Sequence, residues 1–208
     1  MAISKDFWLG KYEVTQEQYQ LVMGRNPSHN KQGGKYPVEK VTWNDAKKFC
    51  KRLTEAEQKA GRLPKGYVYD LPTEAQWEYA AKGGSKSRIY ELYQRYYNFS
   101  GSNNIDQVAW YDANSDETTH PVGMKDANEL GFHDMTGNVW EWCQDWYGSY
   151  EGDATDPKGP ASGQKRVNRG GGWTNMLAEE CRSSSRSYDP PDYCMNCLGF
   201  RVALVPCK

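Results

Sequence analysis

Apolar residues recur at helical spacing in three places within the first eighty residues, and each place opens with a threonine. Thr15, Thr42 and Thr73 are each followed three residues later by a Gln or an Asp. Each pair can form a capping box, in which the two side chains bind the first free backbone N–H groups of a helix. The pattern therefore predicts three helices. The second is the longest, because its apolar stripe continues from Ala46 to Leu53.

Short runs of β-branched and aromatic residues are candidates for strands. They are Val41–Trp43, Tyr67–Tyr69, Val108–Tyr111 and Pro121–Gly123. Gly, Asn, Asp and Pro crowd the stretch from 98 to 131, which predicts long loops around the last two runs. No internal repeat accompanies these elements, and the length suits a single domain over residues 1–208.

The hydrophobic period of both helix and strand disappears between residues 174 and 197. Two blocks rich in glycine and apolar residues enclose this segment, 166–173 before it and 198–203 after it. Tyr, Ser and Asn are frequent within it, as they are in antibody binding loops. A loop of this length commonly carries a binding function on a rigid scaffold. The alternative is an ordinary surface loop near the chain end, and composition by itself favours that alternative.

Charge and composition limit the classes of partner. The formal net charge of the 208 residues is -1, and positive and negative residues are interspersed, so no nucleic-acid or membrane-surface footprint is predicted. No apolar run approaches the roughly 18 residues of a membrane span. Residues 1–5 lack the apolar core of a signal peptide, and a chain from which a leader had been removed would look the same.

The six cysteines do not indicate one common role. Cys50 lies in an apolar helical stripe and Cys143 follows Trp142, so both are predicted to be small buried hydrophobes. Cys194 and Cys197 form a Cys-x-x-Cys. As half of a zinc site this pair would need a second pair at suitable spacing, and as a redox pair it would need a strand-to-helix context. Neither context is found, and both uses remain as minor alternatives.

The stretch from Asp134 to Trp142 combines carboxylates with a glycine. Asp134 and Glu141 could supply side-chain oxygens, and Gly137 could let the chain turn and expose carbonyl groups. Ca²⁺ prefers such oxygen ligands. The alternative is a tight turn followed by a strand with Trp140 and Trp142 packed on one face.

Six blocks spread over nearly the whole chain carry a family resemblance. They lie at 8–15, 36–43, 71–81, 137–142, 169–173 and 198–201. In content and order they resemble the signatures of the formylglycine-generating-enzyme, or sulfatase-modifying factor, family. The resemblance implies an α+β protein with a C-type-lectin-like fold of the formylglycine-generating-enzyme subtype, with small twisted antiparallel sheets, a few helices and a high loop content.

The same resemblance implies that the family's calcium site is present in this chain and that its catalytic cysteine pair is missing. Its calcium segment corresponds to Asp134, Gly137, Val139 and Glu141, so a structural calcium ion is expected there. The positions that match the catalytic cysteine pair are Ala178 and Ser183. A methyl group and an unactivated hydroxyl cannot replace copper-binding thiolates. We therefore expect no copper and no formylglycine-generating activity.

A second resemblance concerns the C-terminal third. Arg169–Trp173, Cys181–Arg186 and Leu198–Ala203 are similar to the framework of variable proteins diversified by retroelements, those of treponemes above all. In such proteins template adenines are randomised during reverse transcription. An Asn codon can then yield Tyr, Ser, Asp, Pro, Leu, Cys or Asn. This accounts for much of residues 174–197, including both cysteines of the Cys-x-x-Cys, although methionine requires a different codon.

The two resemblances together imply a noncatalytic receptor-like protein. We expect its ligand to be a macromolecule, in the first instance a protein, and its location to be the cell surface or outside, with a lipid anchor on the full-length form. The alternative is an oxidoreductase or accessory protein of the sulfatase-modifying family. Fixed groups such as Arg169, Arg182 and Arg201 are expected to hold the loop backbone. The predicted ligand-binding residues are Asn175, Met176, Leu177, Ser185, Ser187, Tyr188, Asp189, Tyr193, Cys194, Met195, Asn196 and Cys197.

Overall fold

The computed structural model describes residues 2–86, 97–150 and 152–207. Strands and helices are short, and long irregular segments separate them. The helices are α1 (Gln16–Met23), α2 (Trp43–Lys59), α3 (Glu74–Ala81) and α4 (Ile105–Val108), and a 3-10 turn covers Ala178–Cys181. The strands are β1 (Trp8–Leu9), β2 (Tyr67–Asp70), β3 (Trp140–Trp146), β4 (Arg166–Arg169), β5 (Arg186–Asp189), β6 (Leu198–Gly199) and β7 (Ala203–Pro206).

All three predicted capping boxes form. The hydroxyl oxygens of Thr15, Thr42 and Thr73 accept backbone N–H bonds from the residue three positions on, at 3.3, 2.9 and 3.2 Å. In each case the partner's side chain returns to the threonine N–H, which satisfies a second donor. The three helices predicted from the sequence are therefore confirmed, and each begins at the residue after its threonine.

The strands form two small sheets. One has the order β1-β7-β2 and is antiparallel, so that strands from both ends of the chain pair with each other. The other has the order β5-β4-β3-β6, in which only the short β3–β6 pair is parallel. This architecture confirms the α+β fold class with small sheets and few helices.

Several local predictions were wrong. Val41–Trp43 is not a strand, because the Thr42 cap starts α2 at Trp43. Val108 ends helix α4, and Pro121–Gly123 forms a turn. The segment 174–197 is not loop throughout, because it contains β5, which pairs with β4 along its full length. As an edge strand with polar side chains, β5 has no apolar alternation that a sequence pattern could detect.

The main core packs helices α1 and α2 against Trp142 of β3, Leu198 of β6 and Phe200. Tyr19 stacks on Phe49 with 5.5 Å between ring centroids, and Phe200 packs edge-on against Phe49 at 5.3 Å. Trp142 is fully buried here and donates its indole N–H to the carbonyl of Val41 at 3.0 Å. Cys50 and Cys143 are buried, as predicted.

Among the described residues no helix is both long enough and apolar enough to cross a membrane.

Candidate functional site

Most side chains of the predicted variable segment are exposed or partly exposed. Met176 and Leu177 are 79% and 60% exposed, and Tyr188 and Tyr193 are 39% and 40% exposed. Large apolar and aromatic side chains can anchor a partner where they lie together on a surface. Cys194 is exposed as well, and the remaining predicted positions with partly accessible side chains are Ser185, Ser187, Asp189, Met195 and Asn196.

Two of the predicted positions do not offer their side chains to a ligand. Asn175 is only 9% exposed; its Oδ1 accepts the N–H of Gly172 at 2.6 Å, and its Nδ2 donates to Glu180 at 2.7 Å. Cys197 is fully buried, and burial raises the pKa of its thiol. The structure therefore assigns both residues to the framework: Asn175 closes the turn after the glycines, and Cys197 packs beneath the surface.

The backbone of the variable segment is bound by groups that lie outside it. Arg169 is fully buried and donates to the carbonyls of Ser183 and Ser185, the former at 3.0 Å. Trp173 donates its indole N–H to the carbonyl of Asn196 at 3.0 Å. These bonds reach backbone carbonyls and do not depend on which side chains the segment carries. Two predicted positions also use their own side chains: Asp189 accepts from the Nδ2 of Asn168 at 2.9 Å, and Ser185 donates its hydroxyl to the carbonyl of Glu179 at 2.6 Å.

Of the three arginines expected to hold this backbone, only Arg169 does so with its side chain. Arg201 is fully buried and turns away from the segment: it donates to the carbonyls of Gly10 and His133 and to both oxygens of Glu141. The side chain of Arg182 is 44% exposed and lies 3.7 Å from Glu179, and its backbone carbonyl accepts the N–H of Ser185 at 2.9 Å. The expectation is thus confirmed for Arg169, holds for Arg182 only through its backbone, and is wrong for Arg201.

Aromatic and cationic side chains continue the surface beyond the variable segment. Tyr188 packs against Tyr147 with 4.1 Å between ring centroids, and the ammonium of Lys165 lies 4.3 Å from the Tyr188 ring. The Arg186 guanidinium lies over Tyr147 and Tyr150, at 4.7 and 4.1 Å from the ring centroids. Sequence reasoning missed these neighbours, since the aromatic density of residues 146–150 was their only signal.

Arg186 ties three parts of the chain together. Its Nε and Nη2 donate to the two carboxylate oxygens of Glu74, at 2.6 and 2.7 Å, and its Nη1 donates to the carbonyl of Gly148 at 3.0 Å. The hydroxyl of Tyr150 donates to the same carboxylate at 3.2 Å. A bidentate pair of this kind fixes geometry as well as charge, so β5, the start of α3 and the 147–150 loop form one unit.

The predicted calcium segment forms a tight turn. Asp134, Gly137 and Asn138 all have positive φ, at 55°, 76° and 61°. A Cβ at Gly137 would lie 2.3 Å from the Trp110 carbonyl oxygen, so only glycine fits there. Trp140 and Trp142 follow on one face of β3. The turn-and-strand alternative is therefore realised, whether or not an ion binds.

The donor set of this turn does not fit a calcium ion as arranged. Both oxygens of Glu141 accept from Arg201 at 2.7 Å, and one also accepts the indole N–H of Trp77 at 2.8 Å. Asp134 accepts the N–H of Gly123, and Glu13 accepts the N–H of Val139. Within the described ranges no three acidic, histidine or cysteine side chains converge to hold a metal. Calcium binding stays a prediction.

Excess negative charge is nevertheless buried around the turn. Three buried carboxyl groups, those of Glu13, Asp134 and Glu141, act electrostatically on the buried guanidinium of Arg201, which hydrogen-bonds to Glu141. Burial, followed by the charges of Asp134 and Glu141, raises the pKa of Glu13 well above its ordinary value. Burial also raises the pKa of Asp134. The buried negative charge can be balanced in two ways. Either a cation binds at the turn, or one of the carboxyl groups stays protonated and neutral.

Ala178 and Ser183, the positions that the sequence resemblance matches to the family's catalytic cysteines, lie within residues 174–197. Ala178 begins the 3-10 turn, and Ser183 is buried with its Oγ atom lacking a hydrogen-bond partner. The nearby thiol of Cys181 is fully buried, and burial raises its pKa to about 12. A thiol in that state is a poor nucleophile and a poor metal ligand.

Comparison with known proteins places these features in a family. The sulfatase-modifying factor enzyme 1-like domain matches residues 1–205. The chain belongs to this family. A chaperone protein named LppX from Paenibacillus barcinonensis is 39% identical over 83% of this chain and 71% of its own length. The formylglycine-generating enzyme of Streptomyces coelicolor is 36% identical over 81% of this chain, which spans 52% of that enzyme.

Among solved structures, the chain is similar to the Treponema denticola variable protein 1 over nearly the whole length of the chain. The TM-score is 0.83 with 34% sequence identity, and the match covers 98% of this chain and 86% of the other. The fold is therefore the C-type-lectin-like fold of the formylglycine-generating-enzyme subtype, as the sequence resemblance implied.

Proposed function

We propose that the protein is a noncatalytic receptor whose exposed C-terminal surface binds a macromolecular ligand and is diversified in sequence by a retroelement. The observation that carries the proposal is the separation of roles within residues 174–197. Framework groups bind the backbone of the segment, as Arg169 does at Ser183 and Ser185. Its side chains, by contrast, lie mostly on the surface.

The chemistry of the surface supports a protein ligand. Tyr188 and Tyr193 are large amphipathic anchors with few rotatable bonds, and such residues dominate the energy of protein interfaces. Met176 and Leu177 are exposed apolar side chains of the same segment. The formal net charge of -1 does not suit a polyanionic partner. A surface of this kind serves a receptor on the outside of the cell, which is the location we propose.

The similarity to the Treponema denticola variable protein supports the diversification. Under this proposal the binding positions are Met176, Leu177, Ser185, Ser187, Tyr188, Asp189, Tyr193, Cys194, Met195 and Asn196. The buried Asn175 and Cys197 belong to the framework and stay constant.

Sequencing the gene from several isolates of the source organism tests the proposal. We expect substitutions to concentrate at the exposed positions, a second copy of the segment to lie nearby, and a reverse transcriptase gene to accompany it. Isolates that differ evenly along the chain, with no second copy and no reverse transcriptase, would overturn the proposal. Variation at Asn175 and Cys197 equal to that at Tyr188 would overturn the assignment of framework and surface.

A second candidate function is that of an accessory protein for another protein's folding or modification. The 39% identity to a protein named as a chaperone favours it. An accessory role would need one constant partner, so isolates would keep the exposed residues unchanged. The oxidoreductase alternative predicts copper-dependent oxidation of a cysteine-containing peptide. The burial of Cys181 and its raised pKa oppose that activity.

A further inference from the structure

A cleft lies beside the proposed binding surface. Its volume is about 620 Å³, within the range of sites that bury a small molecule or a large side chain. It is lined by the N-terminal turn of α3, the end of β3, and residues within 148–150 and 152–161. Trp146, Tyr150, Pro157 and Pro160 supply flat apolar walls.

Of the five charged side chains that line the cleft, Glu74, Glu78 and Arg186 are paired, and Asp145 and Lys158 line it as well. Glu74 binds Arg186 through both oxygens, and Glu78 binds Lys82 at 2.5 Å as well as Arg169. Paired charges of this kind attract a charged ligand weakly, because each is already neutralised by its partner. The two further charges, on Asp145 and Lys158, are of opposite sign and favour neither a cation nor an anion. The ligand group should therefore be neutral, and its recognition should depend on shape and apolar contact.

One polar side chain in the wall is nearly fully buried. Asp145 is 4% exposed and accepts the N–H of Glu74 at 2.7 Å. A carboxyl group in such a place can accept a hydrogen bond from a ring N–H or O–H that enters the cleft. Tryptophan and tyrosine side chains combine a flat apolar body with one polar hydrogen of that type.

The cleft and the variable surface are joined through shared residues. Arg186 lines the cleft and is separated from Tyr188 by one residue. The ring of Tyr147 contacts both residues: it packs at a tilt against the Tyr188 ring, and the Arg186 guanidinium lies over it. All other lining residues lie outside 174–197. Diversification would therefore change the surface and leave the cleft unaltered.

We propose that this cleft is a fixed subsite that takes a neutral aromatic side chain, Trp or Tyr, of the protein ligand bound by the adjacent variable surface. The proposal rests on the proposed receptor function. It adds that the ligands of differently diversified copies share one chemical feature, an exposed aromatic residue next to the epitope that the variable positions contact.

Indole tests the chemistry of the subsite independently of any natural ligand. We expect saturable binding of indole to the full chain in NMR titrations, with shifts at the Trp146 side-chain N–H and around Tyr150. Tyr150→Ala should weaken indole binding about tenfold, the effect of one aromatic contact. Tyr150→Phe keeps the ring and should bind as the parent protein does.

The matched control is Tyr193→Ala, which removes an exposed tyrosine that does not line the cleft. It should leave indole affinity unchanged, as should Tyr188→Ala. Thermal unfolding of each variant checks that the fold is kept. Absence of saturable binding, or equal weakening by Tyr150→Ala and Tyr193→Ala, would overturn the subsite. Uniform gene sequences across isolates would instead overturn the receptor function while leaving indole binding as it was.

Discussion

The Nη2 atom of Arg169 lies 3.0 Å from the carbonyl oxygen of Ser183. The same guanidinium binds the carbonyl of Ser185 and the carboxylate of Glu78, and the arginine is fully buried. A side chain of β4 thus fixes the backbone path at Ser183 and Ser185. Under the proposed function, the backbone of the binding surface keeps its shape whichever side chains the segment carries.

Arg169→Ala should lower the free energy of unfolding by about 3–5 kcal/mol, because it removes a buried donor from the carbonyls of Ser183 and Ser185 and one of two cationic partners from Glu78. Urea denaturation measures the change. Arg182→Ala is the matched control: its side chain is 44% exposed, and its loss should cost less than about 0.5 kcal/mol. Equal losses in the two variants would contradict the role given to Arg169.

Removing an exposed tyrosine of the surface should cost little stability. For Tyr188→Ala and Tyr193→Ala we expect losses below about 1.5 kcal/mol, since stacking on Tyr147 is the main contact that Tyr188 gives up. Tyr19→Ala is the comparison, because Tyr19 is fully buried against Phe49. It should lose about 3–5 kcal/mol. A similar loss at Tyr188 would show that this residue supports the fold.

Asn175 should behave as framework. Asn175→Ala removes the acceptor of the Gly172 N–H and leaves that donor buried, which costs about 1–3 kcal/mol. Asn196→Ala keeps the carbonyl that accepts from Trp173, so its stability should be close to that of the parent protein. Thermal unfolding of the pair distinguishes a structural asparagine from a diversified one, and equal melting temperatures would reject the distinction.

Stability should depend on pH through Glu39. This side chain is fully buried, its Oε1 accepts the N–H of Asn30 at 2.7 Å, and its Oε2 has no hydrogen-bond partner. Burial raises its pKa to about 7, and Lys31 and Lys40 oppose the shift only in part. The folded protein therefore holds this proton more tightly than the unfolded chain does.

The stabilisation from the Glu39 proton is fully present below about pH 4, the unfolded pKa, and is lost as the pH rises through 7. Glu39→Gln should remove a decline of about 3 kcal/mol over that window. Urea denaturation at several pH values measures it. Glu17→Gln, at an exposed position of α1, should keep the parent's pH profile. A profile unchanged by Glu39→Gln would refute the assignment.

Calcium binding at Asp134, Gly137, Val139 and Glu141 is tested by titration calorimetry, with thermal unfolding before and after addition of a chelator. If an ion binds, Glu141 must leave Arg201, so Arg201→Lys should change the affinity. Absence of heat, together with a melting temperature that chelation does not alter, would end the calcium hypothesis. It would leave the Glu141–Arg201 pair as the stabilising contact at this turn.

The parts of the fold that local chemistry determines were predictable from the sequence. Thr15, Thr42 and Thr73 each start a helix because capping needs only residues three positions apart. Strand β5 was not predictable, since its pairing with β4 is a contact with residues about twenty positions away and its side chains show no apolar period. The helices and strands predicted from local patterns did not indicate the C-type-lectin-like fold. The resemblance to the sulfatase-modifying factor family did.

The candidate site was predictable in composition and not in detail. The absence of a hydrophobic period and the frequency of Tyr, Ser and Asn predicted that residues 174–197 form an exposed binding segment. Composition could not show that Asn175 and Cys197 face inward, because that depends on the turn after Gly172 and on packing against β3. The cleft beside Trp146 left no pattern either, since its walls come from separate parts of the chain.

The ion pair between Arg186 and Glu74 has a consequence for the codon at position 186. Arg186 stands between Ser185 and Ser187, two positions that adenine-directed mutagenesis would rewrite, and loss of Arg186 would free β5 from α3. Arginine has three codons without adenine, CGT, CGC and CGG. We therefore expect the gene to use one of these codons at position 186. Such a codon contains no adenine that mutagenic reverse transcription could change, so Arg186 would be kept and β5 would stay bound to α3.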